Sequence, residues 1–115
     1  MSASAPQVRT GPAGAGRQPV LRSTLSREQA EDTAGLLRVV SDSTRLQLLS
    51  LIHHSPEGRA RVTDLTAALG LRQPTISHHL KMMTQAGILV REPIGREVWY
   101  SIDASRLSAI ADLLR

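Results

Sequence analysis

The sequence predicts a mainly α-helical (α+β) domain of about five helices with a two-stranded β-hairpin near its end. Apolar residues recur at helical spacing along most of the chain after Leu25. Gly70 and Pro74 lie close together between two of these helices, and this spacing predicts a tight turn between them. Two runs with strand composition, 88–90 and 98–102, follow the second of these helices and predict the hairpin.

The first two helices are indicated by their capping residues. Ser26 and Gln29 have the spacing of a capping box, which begins a helix that extends to about Val40. Ser41 or Asp42 caps the second helix. This helix has apolar residues on most of its faces, which predicts a position at the centre of the core: Leu46, Leu48, Leu49, Leu51 and Ile52.

The third and fourth helices form the predicted helix-turn-helix. The third begins at Val62 or Thr63, buries Leu65 and Leu69, and ends at Gly70, which suits a left-handed cap. Three residues at i, i+4 and i+7 form the inner stripe of the fourth helix: Ile76, Leu80 and Met83. The opposite face is polar, with Ser77, His78, Lys81 and Gln85.

A β-hairpin and a last helix complete the predicted domain. Residues 93–96 join the two strands and place a basic residue, Arg96, at the tip. On the second strand we expect Tyr100 in the core and Trp99 at the surface. Asp103 caps a helix that either packs on the domain's own core or joins the first helix in a dimer. Its apolar stripe consists of Leu107, Ile110, Ala111 and Leu114.

Length and composition limit the classes of protein. A chain of 115 residues with 41% apolar residues supports one small domain, which a partner subunit would stabilise. There is no cysteine, so disulfides and thiolate metal sites are excluded. No apolar run has the length of a secretory signal or a membrane span, and we expect a cytoplasmic protein. We find no pattern typical of an enzyme in the sequence: it has no catalytic triad, no suitably placed acidic pair and no phosphate-binding glycine loop.

Positive charge is concentrated in two places. Residues 1–22 contain three arginines and no acidic residue, and their Ala-, Gly- and Pro-rich composition predicts a disordered basic arm before a domain at 23–115. From Arg59 to Arg96 there are six cations and two acids. Such an excess on the helix-turn-helix and hairpin favours contacts with DNA phosphates, although a merely solvated basic surface is the alternative.

The polar face of the fourth helix and the hairpin supply the predicted DNA contacts. Gln73 and Ser77 can bond base edges, and the methyl group of Thr75 can contact thymine. His78 points outward, whereas His79 lies at the edge of the apolar stripe. Asp42 and Arg45 are interpreted as structural. The complete set of predicted DNA-binding residues is Gln73, Thr75, Ser77, His78, Lys81, Arg91 and Arg96.

Three motifs in order resemble the ArsR/SmtB family of winged helix-turn-helix transcription regulators. They are the stretch 40–46, the stretch 73–81 (QPTISHHLK), and the helix exit and hairpin at 86–89 and 95–100. The resemblance implies a homodimer joined by the first and last helices that binds a palindromic operator, more often as a repressor than as an activator. It places the dimer interface at Leu37, Leu107, Ile110 and Leu114.

Many members of the family release DNA when a metal ion binds, but the familiar metal sites are absent from this sequence. Arg61 and Thr63 occupy the positions of the family's Cys-x-Cys pair, and the last helix has no histidine. His53 and His54 are the remaining candidates for nickel or zinc, with Glu57 as an added ligand. The alternative is a pair of solvated histidines at a helix end.

Two other interpretations stay open on sequence grounds. A winged helix can act as a protein-interaction module whose output depends on a partner protein, without reading DNA directly. A separate sensor protein could likewise supply the signal that this chain does not visibly bind.

Overall fold

The computed structural model describes residues 20–22 and 24–114. This part of the chain forms five α-helices and a three-stranded antiparallel sheet, so the predicted fold class is confirmed. The predicted arm lies almost entirely outside the described residues. The elements in chain order are α1 (Arg27–Val40), α2 (Ser43–His53), β1 (Arg59–Arg61), α3 (Val62–Leu69), α4 (Gln73–Gln85), β2 (Leu89–Ile94), β3 (Glu97–Ile102) and α5 (Ala104–Leu113).

Side-chain caps fix the starts of three helices. The hydroxyl of Ser26 accepts a hydrogen bond from the backbone N–H of Gln29, and the Gln29 side chain accepts one from Ser26, both at 2.9 Å. The predicted capping box of α1 is therefore confirmed. Asp42 caps α2 by accepting from the backbone N–H of Arg45 at 3.0 Å, and Asp103 caps α5.

The core lies between the helices and one face of the sheet. α2 supplies three fully buried side chains, Leu48, Leu49 and Ile52, and α4 supplies another three. The expectation that Leu46 is buried was wrong, since it is 36% exposed. It shares an exposed face of α2 with Ser43 and Gln47, so even this leucine-rich helix has a solvent side. No helix in the described ranges combines the length and apolarity needed to cross a membrane.

The sheet contains a strand that the sequence did not predict. β3 lies in the centre and pairs with β2 on one side and with β1 on the other. β1 has only three residues, two of them arginines, and so lacks strand composition. It forms because Ala60 is buried opposite Tyr100 while the two arginines lie on the other face. The hairpin formed by β2 and β3, called the wing from here on, is therefore anchored to the domain by a third strand.

The connection between β2 and β3 is shorter than predicted. β2 extends to Ile94, and Gly95 and Arg96 alone form the turn. Gly95 has a φ of 63°, which a two-residue hairpin turn requires and which glycine adopts without a steric penalty. Pro93 is tolerated inside β2 because β2 is an edge strand.

Candidate nucleic-acid interface

A tight turn sets the angle between α3 and α4. Gly70 ends α3 with a φ of 67° and donates its N–H to the carbonyl of Thr66 at 3.0 Å. Two residues later the carbonyl of Arg72 accepts from the N–H of Ile76 at 3.1 Å, and α4 begins. Pro74 fits the first turn of α4 because an amide there needs no intrahelical partner. The predicted helix-turn-helix is present.

α4 is anchored by one face and leaves the other free. Ile76, Leu80 and Met83 are fully buried, as their spacing predicts. The five candidate residues on the other side of the helix are all exposed: Gln73, Thr75, Ser77, His78 and Lys81. A rigid helix thus presents a continuous row of hydrogen-bonding side chains to the exterior.

A groove of about 330 Å³ separates α4 from the wing. Four of the predicted DNA-binding residues line it, Gln73 and Ser77 from α4 and Arg91 and Arg96 from the hairpin. Thr63 at the start of α3 also contributes to the lining, which the sequence did not indicate. The fold therefore brings residues that are far apart in sequence to one surface.

The cations of this surface differ from four arginines elsewhere in the molecule. Arg72, Lys81, Arg91 and Arg96 are exposed, and none forms an ion pair within the described ranges. By contrast, four other arginines each pair with a carboxylate: Arg27, Arg59, Arg61 and Arg106. Apart from Arg22 and Arg38, the exposed cations that lack an acidic partner in the described ranges lie on α4, the turn before it and the β2–β3 hairpin, where they can attract phosphates.

The face of the sheet opposite to the buried Ala60 and Tyr100 carries arginines that are paired with carboxylates. The guanidinium group of Arg59 lies 4.4 Å from the centre of the Trp99 ring, and that of Arg61 lies 5.5 Å from it. Arg61 also contacts Asp64 at 3.0 Å and Glu97 at 3.5 Å. The hydrogen bond and the charge of Asp64 raise the pKa of Arg61 above its ordinary value. Trp99 is half-buried beneath these groups, whereas Tyr100 belongs to the core as expected.

His79 is held inside the helix layer. Its side chain is only 16% exposed, and its Nδ1 lies 3.2 Å from Nη1 of Arg45 on α2. The capping carboxylate of Asp42 lies 4.0 Å from the same ring nitrogen. The pKa of Asp42 is lowered, chiefly by the hydrogen bond from the backbone of Arg45. These contacts agree with the structural role expected for Asp42 and Arg45.

The candidate dimer residues differ in accessibility. Leu37 on α1 is 48% exposed and Leu107 on α5 is 41% exposed. Ile110 is fully buried in the core of the single chain, and Leu114 packs against that core while half-buried. Of these four candidates, Leu37 and Leu107 are therefore the two that present much apolar surface to a second molecule.

His53 and His54 lie at the end of α2 with ring centres 4.9 Å apart. Nδ1 of His54 lies 2.9 Å from the carbonyl oxygen of Ser50, so this nitrogen carries a proton and donates it. His53 and Glu57 line one groove, but Glu57 is paired with Arg59 at 3.6 Å. Within the described ranges, no three His, Cys, Asp or Glu side chains are grouped closely enough to hold a metal ion.

A helix-turn-helix followed by a β-hairpin defines the winged helix-turn-helix class, and an exposed fourth helix beside arginines of the hairpin is typical of members that bind DNA. Within that class, the chain belongs to the arsR family of bacterial regulatory proteins, whose family model matches residues 42–90. It is therefore a DNA-binding transcriptional regulator, not an enzyme.

Related proteins extend the likeness beyond this segment. An HTH-type transcriptional regulator of Methanocaldococcus jannaschii is 33% identical over 87 residues, which cover 76% of this chain and 96% of that protein. An arsenical resistance operon repressor of Staphylococcus aureus is 29% identical over 80 residues, or 70% of this chain and 74% of the relative. The crystal structure of the transcriptional repressor PagR of Bacillus anthracis shares 32% identity and superposes with a TM-score of 0.65, covering 78% of this chain and 100% of that one.

Proposed function

We propose that this protein is a homodimeric repressor that binds a palindromic operator through α4 and the wing. The observation that carries the proposal is the groove between them, where exposed hydrogen-bonding side chains lie beside arginines that have no acidic partner among the described residues. A helix held by three buried side chains can enter the major groove without losing its register. Repression follows if the bound dimer blocks access to a promoter.

Each candidate residue has a distinct expected contact. Gln73 and Ser77, which line the groove, bond base edges, and Thr75 contacts a thymine methyl group. Lys81 and His78 lie on the same exposed face and contact backbone phosphates, although His78 can also reach a base edge. Arg91 and Arg96 hold the phosphate backbone or enter the minor groove beside the wing.

The dimer is proposed to form through α1 and α5. These helices carry the exposed Leu37 and Leu107, and an ion pair between Asp32 and Arg106 holds them together. Burying two leucines per chain against their symmetry mates removes apolar surface from water. A two-fold axis there would place two copies of α4 in successive major grooves about 34 Å apart.

Repression is supported by the names of two relatives, the arsenical resistance operon repressor and PagR, which are both called repressors. A transcription assay in vitro, with a promoter that the protein binds, would show whether the protein represses or activates transcription. Fewer transcripts on addition of protein would support repression, and more transcripts would show that the protein activates.

DNA binding itself is best tested by fluorescence anisotropy with fragments from upstream of the protein's own gene. We expect tight binding to at least one fragment and weaker binding to a scrambled duplex of the same length and composition. Typical specific complexes bind about 10³- to 10⁷-fold more tightly than nonspecific ones. Equal binding to both duplexes would contradict the proposal, and no binding to either would favour a protein-interaction module.

The residues present do not fit a nickel or zinc site. Nδ1 of His54 is engaged by a carbonyl, and Glu57 is engaged by an arginine. Borderline ions such as nickel and zinc need several nitrogen or sulfur ligands on one side of the ion. Calorimetric titration with nickel and zinc tests whether the protein binds either metal. We expect no heat of binding at micromolar metal. A separate sensor protein or a non-metal ligand would then supply the signal.

A further inference from the structure

Arg45 stands where three helices meet. Its Nε donates a hydrogen bond of 2.6 Å to the carbonyl of Val39, in the last turn of α1. Its Nη1 lies 3.2 Å from Nδ1 of His79 and 3.5 Å from the sulfur of Met82, both on α4. One guanidinium group on α2 therefore joins the end of α1 to the helix proposed to read DNA.

We propose that Arg45 is a positioning residue of α4, which sets the orientation of the core-anchored helix through its contact with His79, and that this contact lasts only while the His79 ring is neutral. The proposal rests on the proposed DNA-binding role of α4. Arg45 itself contacts two helices in the interior and is separate from the seven predicted DNA-binding residues, so its effect on DNA is indirect.

The contact with Arg45 determines which nitrogen of the His79 ring carries the proton. A guanidinium group has only donors, so Nδ1 of His79 must accept, and the ring proton lies on Nε2. A protonated ring carries a proton on both nitrogens and cannot accept from Arg45. The carboxylate of Asp42 lies 4.0 Å from the same Nδ1, close enough for charge attraction but beyond hydrogen-bond distance, and the same oxygen already accepts from the backbone N–H of Arg45. Protonation thus removes the hydrogen bond from Arg45 and leaves a positive ring beside a guanidinium group.

In the described part of the chain, α2 and α4 bring charged or titratable side chains close to His79. Asp42 and Arg45 face it from α2, and His78 is its neighbour on α4 with a ring centre 5.8 Å away. Because Arg45 also holds Val39, its release loosens the link between α4 and the end of α1 as well.

A lysine cannot replace Arg45. The planar guanidinium reaches the α1 carbonyl with one nitrogen and α4 with another, whereas an ammonium group is a single point charge. Arg45→Lys keeps the charge and removes the simultaneous contact. This substitution therefore separates positioning from electrostatic attraction.

The test uses a DNA fragment that the protein binds at pH 8. Its affinity for the protein is measured from about pH 5 to pH 8, the range in which imidazoles ordinarily titrate. We expect the wild-type affinity to fall about three- to thirtyfold as the pH decreases, the size of typical coupling between packed elements. His79→Gln should flatten this profile, since its amide oxygen accepts at every pH. His54→Gln is the matched control and should retain the fall, because His54 lies at the end of α2, outside the seven predicted DNA-binding residues, and leaves the contact between Arg45 and His79 in place.

Arg45→Lys should weaken binding at pH 8 by a similar factor, with an unchanged far-UV circular dichroism spectrum. The inference would be overturned by wild-type affinity in this variant, or by equal pH profiles of the wild type and His79→Gln.

A second measurement does not require DNA. Proton–nitrogen correlation spectra of the histidine rings should show His79 protonated on Nε2 alone at pH 8, and an Nδ1–H tautomer would overturn the inference. If the wild type binds no DNA, the proposed function fails while the ring spectrum still decides the Arg45–His79 contact. If it binds DNA but neither variant differs from it, this inference alone fails.

Discussion

Asp32 on α1 and Arg106 on α5 form a two-pronged ion pair, with nitrogen–oxygen distances of 3.0 and 3.2 Å. The two residues are 74 positions apart in the chain, so the contact ties the first helix of the domain to the last. The hydrogen bonds and the charge of Arg106 hold the pKa of Asp32 below its ordinary value. This pair aligns the two helices that carry the exposed Leu37 and Leu107.

The Asp32–Arg106 pair predicts a stability contribution that acid removes. A carboxyl whose pKa is lowered by folding stabilises the native state above its unfolded pKa, here 3.8, and loses that contribution as the pH falls through its folded pKa. Asp32→Asn should therefore lower the melting temperature at pH 7, with a difference from wild type that shrinks below pH 3.8. Glu92→Gln is the control, because Glu92 is exposed on the wing and forms no ion pair in the described ranges. A pH-independent difference for Asp32→Asn would contradict the assignment.

Lys81 predicts a sequence-independent effect on DNA binding. It is exposed on α4 and has no acidic partner in the described part of the chain, so it is free to neutralise a phosphate. Lys81→Ala should weaken binding to specific and scrambled duplexes alike and reduce the salt slope by about one unit. An unchanged slope in a salt titration would remove Lys81 from the phosphate contacts.

The wing predicts a contrast between free and paired arginines. Arg91→Ala and Arg96→Ala should each lower the affinity for DNA and flatten the salt slope by about one unit, since both line the groove beside α4. Arg59→Ala is the matched control, because Arg59 lies on the other face of the sheet, against Trp99 and Glu57. Equal losses in all three variants would show that net charge matters and that the position of the wing does not.

The exposed leucines predict the effect of breaking the proposed dimer. Leu107→Glu or Leu37→Glu would place charge in the proposed interface and should yield a monomer by sedimentation or light scattering. Ile94→Glu is the control, since Ile94 is similarly exposed at 42% but lies at the end of β2 on the wing. A dimer that survives both leucine substitutions would place the interface elsewhere.

The helices and the exposed face of α4 were predictable because their signals are local. Ile76, Leu80 and Met83 repeat at helical spacing, and Asp42 stands directly before the helix that it caps. The contact between Arg45 and His79 was not predictable, because 34 residues separate them and only the packing of α2 on α4 joins them. β1 was missed for a similar reason, since its pairing partner Tyr100 lies 40 positions away and its own composition is not that of a strand. The burial of Ile110 depends likewise on how α5 packs on the core, which periodicity alone does not determine.

The central claim is that the outer face of α4 reads base sequence. The most direct measurement compares the affinities of the wild type and a Gln73→Ala, Ser77→Ala double variant for a specific and a scrambled duplex at one salt concentration. The claim predicts that the double variant loses about 1–3 kcal/mol of discrimination, the value of the bidentate base contact that Gln73 can make, while its affinity for the scrambled duplex stays the same. An unchanged ratio of specific to scrambled affinity would contradict it.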